Sequence, residues 1–506
     1  MADRMVRRAG LAVVLFLVLL APAGIAQDLA QFEKRLTEFT LDNGLKILVL
    51  ERRDAPVVTC FTHVNVGSAD EVKGITGLAH IFEHMAFKGT TTIGTKDHKS
   101  EAKVLARVDE AFQALRGELL KGDRADPNRV ARLRRQFEEA QQEGQKFLVH
   151  DEFEETLNRE GGTNLNAGTS TDYTVYFVSL PSNKLELWMF MESERFRAPV
   201  LREFYMEKDV VMEERRLRTE TQPIGRLIED FLATAYKAHP YGEPVVGHMS
   251  DLEAICRTQA EAFFKEYYVP ANMTVAIVGD VSPERVKALA KKHFGRIPRH
   301  PDPRPVVTVE PPQGGERRVV IEDPSQPFVV VGYHKPGINH PDDAVFDAIT
   351  DIMGMGRTSR LYATLVKEKR IAVAASGFQG MPGVKYPGLF LFYSVPARGH
   401  TDQENLEAIY AQIDRLKNEP VSREELDKAK TRARAGLIRQ LDSNEGLAQQ
   451  LAFYEVVTGD WRNLFKQLDR IDAVTAEDVR RVARTYFTTK NRTVGIIQTT
   501  AAENES

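Results

Sequence analysis

The spacing of apolar residues predicts two strands followed by a helix near the start of the chain. The turn residues Asp42, Asn43 and Gly44 directly precede a first apolar stretch at residues 45–50. A second apolar stretch covers residues 57–66. Both stretches are rich in Val, Ile or Leu and are bounded by turn residues, which favours strands. Apolar positions then recur every three or four residues from about 74 to 87, which is the period of a helix.

A proline-rich stretch divides the chain in two. Within the predicted linker 298–316, residues 298–312 contain six prolines, and the adjacent glycines Gly314 and Gly315 follow them. Proline removes a backbone donor that strands and helices need, so such a stretch favours an extended linker. We therefore predict one domain at residues 27–297 and a second domain at residues 317–500.

The two halves carry similar sequence patterns. At a constant offset of 219, Tyr267, Asn272, Thr274 and Val275 recur as Tyr486, Asn491, Thr493 and Val494. A strand pattern at 328–333 and a helix pattern at 343–353 resemble those at 57–66 and 74–87, with an offset of about 267. These matches predict an internal duplication with about 48 extra residues in the first half. The helix of the second half has no histidine pair.

The extra residues carry a helical pattern of their own. Apolar residues recur every three or four positions on both sides of the polar stretch 121–127. Asp126 followed by Pro127 is a favourable helix start, because Asp caps a helix and Pro is tolerated at its first position. We predict an antiparallel helical hairpin, with coiled-coil spacing, at about residues 101–150. The pattern leaves open whether this hairpin is a passive surface insertion.

The composition is that of an ordinary globular protein. Apolar residues make up 42% of the 506 residues, and the formal net charge is −4. Because no basic face dominates the sequence, nothing indicates a nucleic-acid partner. Cys60 and Cys256 are the only cysteines, which excludes a disulfide framework and predicts buried free thiols.

The first 26 residues have the pattern of an export signal. A basic start precedes an apolar core at residues 11–20, and small residues precede Gln27. The core is shorter than the roughly 20 residues of a membrane span, and no cysteine at the cleavage site offers a lipid anchor. We expect residues 1–26 to be a cleaved signal peptide that leaves no stable membrane anchor. The protein would then be soluble and exported, and periplasmic if its source is Gram-negative.

The most specific motif is the sequence His-Ile-Phe-Glu-His at residues 80–84. On a helix, His80 and His84 leave the same face one turn apart and can bind one metal ion. The order His-x-x-Glu-His inverts the zinc peptidase motif His-Glu-x-x-His. The plainer alternative is a pair of surface or core histidines.

A catalytic zinc site needs a third protein ligand and leaves one position for water. Glu207 and Glu214 are candidates, because they lie seven residues apart on one face of a predicted helix. One carboxylate would bind the metal while the other orients a ligand histidine. Taken alone, this Arg- and Glu-rich helix would be explained better by a solvated face with internal ion pairs, but beside the His-x-x-Glu-His motif the metal-site interpretation is favoured.

These features resemble the pitrilysin/insulinase family of zinc metallopeptidases, also called inverzincins. The resemblance rests on residues 77–90, on residues 207–216 and on the similar halves, and it covers nearly all of the chain after residue 26. It implies an α+β fold with two homologous domains, each a mainly antiparallel sheet packed by helices, that form half of a clamshell. It also implies one Zn²⁺ per chain, bound by His80, His84 and Glu214. Glu207 would support a ligand, and Glu83 would act as general base.

Residues 162–176 resemble the substrate-binding edge strand of the family. Their Thr and Tyr content suits a strand. A peptide substrate would add as an extra strand, so that main-chain hydrogen bonds give affinity with little sequence choice. Asn166, Ala167 and Gly168 are the predicted substrate-binding residues, and an ordinary edge strand is the alternative.

One stretch departs from the family pattern. In active members the second domain, or a partner, supplies an Arg and a Tyr that bind substrate near the zinc. Here Lys367 occupies the Arg position and Val373 the Tyr position; Arg370 could replace the arginine, but nothing replaces the phenol. We therefore expect a heterodimer with a non-zinc homologue that supplies Arg and Tyr.

The sequence thus predicts an exported zinc endopeptidase that cuts peptides or unfolded segments. Glu83 would take a proton from the attacking water and return it to the leaving amine. Two alternatives stay open: a non-catalytic structural or assembly subunit of a family heterodimer, and a maturation protease dedicated to one peptide. Non-catalytic members normally lose part of the motif, which this chain retains.

Overall fold

The computed structural model describes residues 32–500, so the predicted signal peptide at residues 1–26 lies outside the described residues. The strands, in chain order, are β1 (Leu36–Thr40), β2 (Lys46–Glu51), β3 (Val57–Val64), β4 (Thr163–Thr169), β5 (Thr174–Pro181), β6 (Met273–Gly279), β7 (Arg317–Asp323), β8 (Phe328–Lys335), β9 (Ala372–Met381), β10 (Gly388–Pro396) and β11 (Arg492–Thr499).

The α-helices, in chain order, are α1 (Leu78–Met85), α2 (His98–Leu119), α3 (Pro127–Gln145), α4 (Glu152–Arg159), α5 (Leu185–Arg197), α6 (Phe204–Arg215), α7 (Pro223–Ala235), α8 (Met249–Ala254), α9 (Arg257–Tyr267), α10 (Pro283–His293), α11 (Asp343–Gly354), α12 (Asp402–Asn418), α13 (Arg423–Gln440), α14 (Asn444–Thr458), α15 (Asn463–Ala473) and α16 (Ala476–Tyr486). Within the described residues, no helix is long and apolar enough to cross a membrane.

The strands form two sheets. The first has six strands in the order β1-β2-β6-β3-β5-β4, and the second has five in the order β7-β11-β8-β10-β9. Each sheet contains one parallel pair, β2 with β6 and β7 with β11. The other neighbouring strands are antiparallel. Two mainly antiparallel sheets packed by helices confirm the predicted α+β class.

The two sheets repeat one strand arrangement. The order β2-β6-β3-β5-β4 matches β7-β11-β8-β10-β9 strand for strand. Strands β6 and β11 begin 219 residues apart, at Met273 and Arg492, which is the offset that the sequence matches had indicated. The two copies are therefore visible as topology, while the domain limits 27–297 and 317–500 stay a prediction.

One face of each sheet packs against helices of its own half. The larger core joins β2, β3, β5 and β6 to α1, α5, α6 and α9, and both cysteine thiols are free and buried in it. The second core joins β8 and β10 to α11, α12 and α16. The apolar runs of these strands supply the cores, because strands covered on both faces lose the polar alternation of half-exposed ones.

The opposite face of each sheet is covered by a helix from the other half. Leu447 and Leu451 of α14 pack against the first sheet, and Leu227 and Phe231 of α7 pack against the second. Gly332 makes room for the Phe231 ring, since a Cβ at this glycine would lie 2.7 Å from the ring. The two halves thus exchange a helix across the proline-rich linker, and residues 298–316 themselves contain no helix or strand.

The predicted hairpin is present as α2 and α3. The Asp126 carboxylate caps α3 by accepting a hydrogen bond from the Asn128 N–H at 2.9 Å. Along the body of the hairpin, the Phe112 ring centroid lies 4.4 Å from that of Tyr205 on α6. The body of the hairpin therefore belongs to the first core, whereas residues 119–124 at its tip are exposed.

Candidate metal centre

The helix that carries the histidine motif begins at Leu78, later than the sequence suggested. Gly74 and Gly77 adopt φ angles of 96° and 95°, in the left-handed region that favours glycine. The buried Glu71 carboxylate then caps the helix, accepting hydrogen bonds from the N–H groups of Gly77 at 2.7 Å and Ala79 at 2.6 Å. The start of α1 is therefore fixed by two glycines and by an acceptor from outside the helix.

The side chains of His80, His84 and Glu214 converge on one point. The imidazole rings lie 5.0 Å apart between centroids and are nearly perpendicular, at 80°. The Nε2 atoms of His80 and His84 lie 3.7 Å and 3.6 Å from Oε2 of Glu214. One possible ligand atom from each of the three residues lies within 4.8 Å of the other two. Among the described residues, these three side chains form the group that could hold a metal ion.

Glu207 takes the position behind His84. Its Oε2 atom lies 3.3 Å from Nδ1 of His84, the nitrogen that points away from Glu214. Its Oε1 atom lies 2.6 Å from Nζ of Lys88. A carboxylate that receives a hydrogen bond from the far nitrogen of a ligand histidine fixes its tautomer and the orientation of its ring.

The surroundings of the two imidazoles differ. Burial lowers the pKa of His80, although the Glu214 carboxylate opposes this effect. The hydrogen bond to Glu207 raises the pKa of His84 and outweighs the effect of burial. Burial would raise the pKa of Glu207 itself, but its hydrogen bonds to His84 and Lys88 hold the pKa below its usual range. Glu207 therefore stays charged and can accept the Nδ1 proton of a neutral His84.

The donor set fits zinc. Two imidazole nitrogens and one carboxylate oxygen form a common ligand set of catalytic zinc, which keeps a further position for water. Nδ1 of His80 is buried and has no hydrogen-bond partner among the described residues. Packing alone therefore orients His80, whereas Glu207 orients His84.

A cavity of about 270 Å³ opens beside these side chains. It is lined by Glu83 and His84 from α1, by Asn166 and Ala167 from β4, and by Glu207. β4 is the last strand of its sheet, so one of its edges is unpaired within the described residues. Gly168 lies further along β4, where it pairs with Val175 of β5, and it does not line the cavity.

Sequence reasoning missed Lys88. It lines the same cavity and forms the ion pair with Glu207. Burial would lower its pKa, but the hydrogen bond and charge of Glu207 raise it, so the ammonium group is retained. The available signal was its position four residues after His84, but spacing alone does not show that its partner lies more than a hundred residues away.

The residues that occupy the family's Arg and Tyr positions in this chain do not line the cavity beside Glu83. Val373 is exposed on β9, the edge strand of the second sheet. Neither it nor Lys367 nor Arg370 lines the cavity beside Glu83. Their proposed replacement by a partner stays a prediction.

Two family models match the chain. The model described as insulinase (Peptidase family M16) matches residues 46–114 and 142–248. The model described as Peptidase M16 inactive domain matches residues 254–433. Residues 115–141, which include the tip of the hairpin, fall between the matched segments.

Curated relatives include named zinc proteases. The chain is 29% identical over 479 residues to the zinc protease PqqE of Helicobacter pylori, covering 93% of this chain and 94% of that protein. It is 25% identical over 466 residues to an uncharacterized zinc protease of Mycobacterium leprae, with 91% of each chain covered. These names associate the relatives with zinc and with proteolysis.

Solved structures share the fold. A protease from Helicobacter pylori superimposes with a TM-score of 0.77 at 28% identity, covering 92% of this chain and 99% of that one. The periplasmic protease PqqL from Escherichia coli gives a TM-score of 0.67 at 19% identity, with 92% of this chain but 48% of that chain covered. This chain therefore corresponds in fold to about half of the longer protease.

Proposed function

Because the chain belongs to the insulinase family, peptidase family M16, we propose that it is a zinc-dependent endopeptidase of peptides or unfolded polypeptide segments. The observation that carries this proposal is the convergence of His80 Nε2, His84 Nε2 and Glu214 Oε2 beside a cavity that also contains Glu83. His80, His84 and Glu214 would hold one Zn²⁺. When bound there, zinc would polarise a substrate carbonyl and make water easier to deprotonate.

In this proposal Glu83 moves the proton. It precedes His84 on α1 and faces the cavity, so its carboxylate is next to the metal ligands without being one of them. Glu83 accepts a proton from the attacking water and returns it to the amine of the departing peptide. Glu207, held by Lys88, keeps His84 in the tautomer whose Nε2 is free to bind metal.

The edge strand β4 would bind the substrate backbone. Asn166 and Ala167 place this strand at the cavity, with Gly168 next along the same edge. A peptide that extends the sheet from β4 would carry its scissile bond past Glu83. Main-chain pairing of this kind explains why few side-chain pockets are needed for binding.

The proposal also includes a second chain. This chain corresponds to about half of the Escherichia coli protease in fold, and it has Val373 where the family's tyrosine is expected. An open half would leave the reacting groups in water, which weakens positioning and electrostatic stabilisation. We infer a heterodimer with a non-zinc homologue, and export of the mature chain, periplasmic in a Gram-negative source.

The central experiment separates the base from the ligands. Glu83→Gln is expected to bind about one zinc per chain, by metal analysis after dialysis, while peptide cleavage with the partner present falls by about 10²–10⁴. Glu214→Gln is expected to lose zinc as well. Its matched control is Glu213→Gln, whose neighbouring carboxylate pairs with Arg216 at 3.0 Å and does not join the ligand group.

Three results would overturn parts of this proposal. Full cleavage by Glu83→Gln would remove Glu83 as the base. High turnover by the chain alone, together with a homodimer in light scattering, would remove the need for a different partner. Zinc binding without cleavage in any combination with a partner would favour the non-catalytic subunit.

A further inference from the structure

The tip of the α2–α3 hairpin exposes two adjacent leucines. Leu119 is 46% and Leu120 is 69% exposed, at the point where α2 ends and the chain turns towards α3. The packed residues of α2, such as Val108 and Phe112, lie closer to the base of the hairpin. Single exposed apolar residues are common, but a pair at the end of a projection presents apolar surface to whatever approaches it.

The same tip is basic. Arg124, Arg132, Arg134 and Arg135 are exposed and form no ion pair within the described residues. Lys121 and Arg129 share the Glu118 carboxylate, at 2.6 Å and 3.1 Å. Residues 118–135 contain six basic residues and three acidic ones, Glu118, Asp123 and Asp126, so the excess positive charge comes from the arginines in the first turns of α3.

The charge order along α3 is the reverse of the order that favours a helix. Its basic residues fall in the N-terminal half, where Arg129 lies in the first turn, and Glu138, Glu139 and Glu143 follow in the C-terminal half. The macrodipole of a helix prefers negative charge near its N-terminus and positive charge near its C-terminus. Arg129 is compensated by its ion pair with Glu118 at 3.1 Å, and Glu143 by Arg107 at 2.6 Å. Arg132, Arg134 and Arg135, in the following turns of α3, have no such ion pair within the described residues, and an uncompensated departure of this kind marks a candidate functional site.

The tip residues belong neither to the ligand group nor to the lining of the cavity beside it, and they fall outside the segments that the insulinase-family model matches. The middle of the hairpin contacts α6, where the Phe137 and Tyr205 ring centroids lie 5.1 Å apart. The insulinase-family model omits residues 115–141, which contain both leucines and the four free arginines. The tip therefore carries a property of this chain that peptide hydrolysis does not require.

We propose that the hairpin tip docks on an anionic phospholipid surface. Leu119 and Leu120 enter the interfacial layer, and the surrounding arginines face the phosphate groups. Exposed apolar side chains close in the chain to a group of basic residues suit an acidic membrane, because burial and charge attraction add together. Charge alone would suit an acidic polypeptide, but it gives no reason for the exposed leucine pair.

The test is sedimentation of the chain with lipid vesicles. Residues 27–506 are used, since the apolar stretch at 11–20 would bind lipid by itself. Vesicles of phosphatidylglycerol and phosphatidylethanolamine are compared with vesicles of phosphatidylcholine. We expect binding to the anionic vesicles that is at least about tenfold tighter and that weakens as salt screens the charges.

Two hairpin variants separate the contributions. Leu119→Ser/Leu120→Ser and Arg132→Glu/Arg135→Glu are each expected to weaken binding to anionic vesicles by about tenfold or more. The matched apolar control is Val307→Ser/Val309→Ser in the linker, where both residues are 79% exposed. The matched charge control is Arg53→Glu/Arg423→Glu, which changes the net charge equally on other surfaces. Neither control should change vesicle binding.

Three outcomes would overturn the proposal. The first is no preference of the wild-type chain for anionic vesicles. The second is an equal loss of binding in the control variants, which would indicate charge or apolar surface without a defined site. The third is retention on immobilised poly-glutamate without vesicle binding, which would identify an acidic polypeptide as the partner. Zinc content should be the same in all variants, which shows that the fold around the metal centre is intact.

Discussion

The helix α1 and its counterpart α11 hold the same place in two copies of one scaffold but carry different chemistry. With the offset of 267, His80, Glu83 and His84 correspond to Asp347, Thr350 and Asp351. In the first half the histidines converge on Glu214. In the second half Asp351 lies 3.2 Å from the Arg432 guanidinium, and Asp347 accepts a hydrogen bond from Gln467 at 2.7 Å.

The difference shows how a duplicated fold can carry a candidate metal centre in one copy and ion pairs in the other. The first half brings together donors that suit an added cation. The second half supplies its own cations, Arg432 for Asp351 and Lys335 for Asp343, the latter at 2.9 Å. Strand order is the same in both halves, so a few side chains decide the chemistry while the topology stays fixed.

The largest expected effect is a loss of zinc binding, and it should separate the corresponding residues His84 and Asp351 when each is replaced by alanine. His84→Ala should lower zinc affinity by more than about 100-fold and remove peptide cleavage, because a ligand is lost. Asp351→Ala should leave zinc content unchanged and cost about 1 kcal/mol of unfolding free energy, since its partner Arg432 remains partly solvated. Zinc titration and denaturant unfolding measure the two effects. Zinc loss in Asp351→Ala would mean that the second copy also supports the metal.

The next largest expected effect is a loss of stability when the packing of α7 against the second sheet is disturbed. Phe231→Ala should cost about 3–5 kcal/mol, because the ring is fully buried against the second sheet. Since α7 follows the metal-site helix α6 in the chain, both halves should unfold in one transition at a lower temperature. Calorimetry gives the number of transitions, and Phe378→Ala on the exposed face of β9 is a control. Two separate transitions in the wild-type chain would contradict the inferred coupling.

Lys88 provides a smaller test of the first copy. Lys88→Met removes the ammonium group that holds Glu207, and it should weaken zinc binding by about 10-fold or somewhat more, the usual cost of losing such a supporting contact. Lys88→Arg should recover part of the affinity. Lys73→Met is the control and should leave zinc affinity unchanged, because the partner of Lys73 is Glu243, which does not belong to the ligand group. Competition with a chelator of known affinity gives the numbers.

The smallest effect concerns one histidine on each of two corresponding strands, His63 on β3 and His334 on β8. Burial lowers the pKa of His63 to about 3. Burial also lowers the pKa of His334, but its Nε2 lies 3.0 Å from the Ala235 carbonyl oxygen, a hydrogen bond that opposes the effect. The neutral form is therefore favoured in the folded state at both positions, and most strongly at His63.

The sign of the pH dependence follows. The stability that a neutral buried histidine contributes is complete above its unfolded pKa of about 6.5 and is lost as the pH falls towards the folded value. Between pH 6.5 and 5, the wild-type chain should lose up to about 1.4 kcal/mol per pH unit more than His63→Gln. His334→Gln should change this slope less. Denaturant unfolding across that range measures the slopes, and equal slopes for all three chains would argue against a neutral buried His63.

Local patterns explain why much of the fold was predictable. The apolar runs of β3 and β8, the Asp126 cap of α3 and the Gly-bounded helix α1 all follow from residues close together in the chain. Periodicity and capping act over a few residues, so the sequence displays them directly. The helix start was predicted too early, because distant residues hold the segment before Leu78. The Gly74 N–H donates a hydrogen bond to the Asp251 carboxylate at 2.9 Å, and a Cβ at Gly77 would lie 2.6 Å from the Val246 carbonyl oxygen.

The candidate metal centre was predictable only in part. The spacing of His80 and His84 predicted a metal-binding face, but spacing left the choice between Glu207 and Glu214 open, and the family resemblance made that choice. The structure places Glu214 near both Nε2 atoms and Glu207 near Nδ1 of His84, so the two carboxylates have different geometry. Their assigned roles stay proposals until the variants are measured.

The sequence by itself determined the class of fold, the repeated strand pattern, the hairpin and the histidine pair, since each depends on a period or a spacing along the chain. Only the tertiary structure decided that α7 and α14 cross to the opposite sheets and that Lys88 holds Glu207. These contacts join residues that are far apart in sequence. They form because buried apolar faces and charged groups find partners in three dimensions, and no local period records which partner that will be.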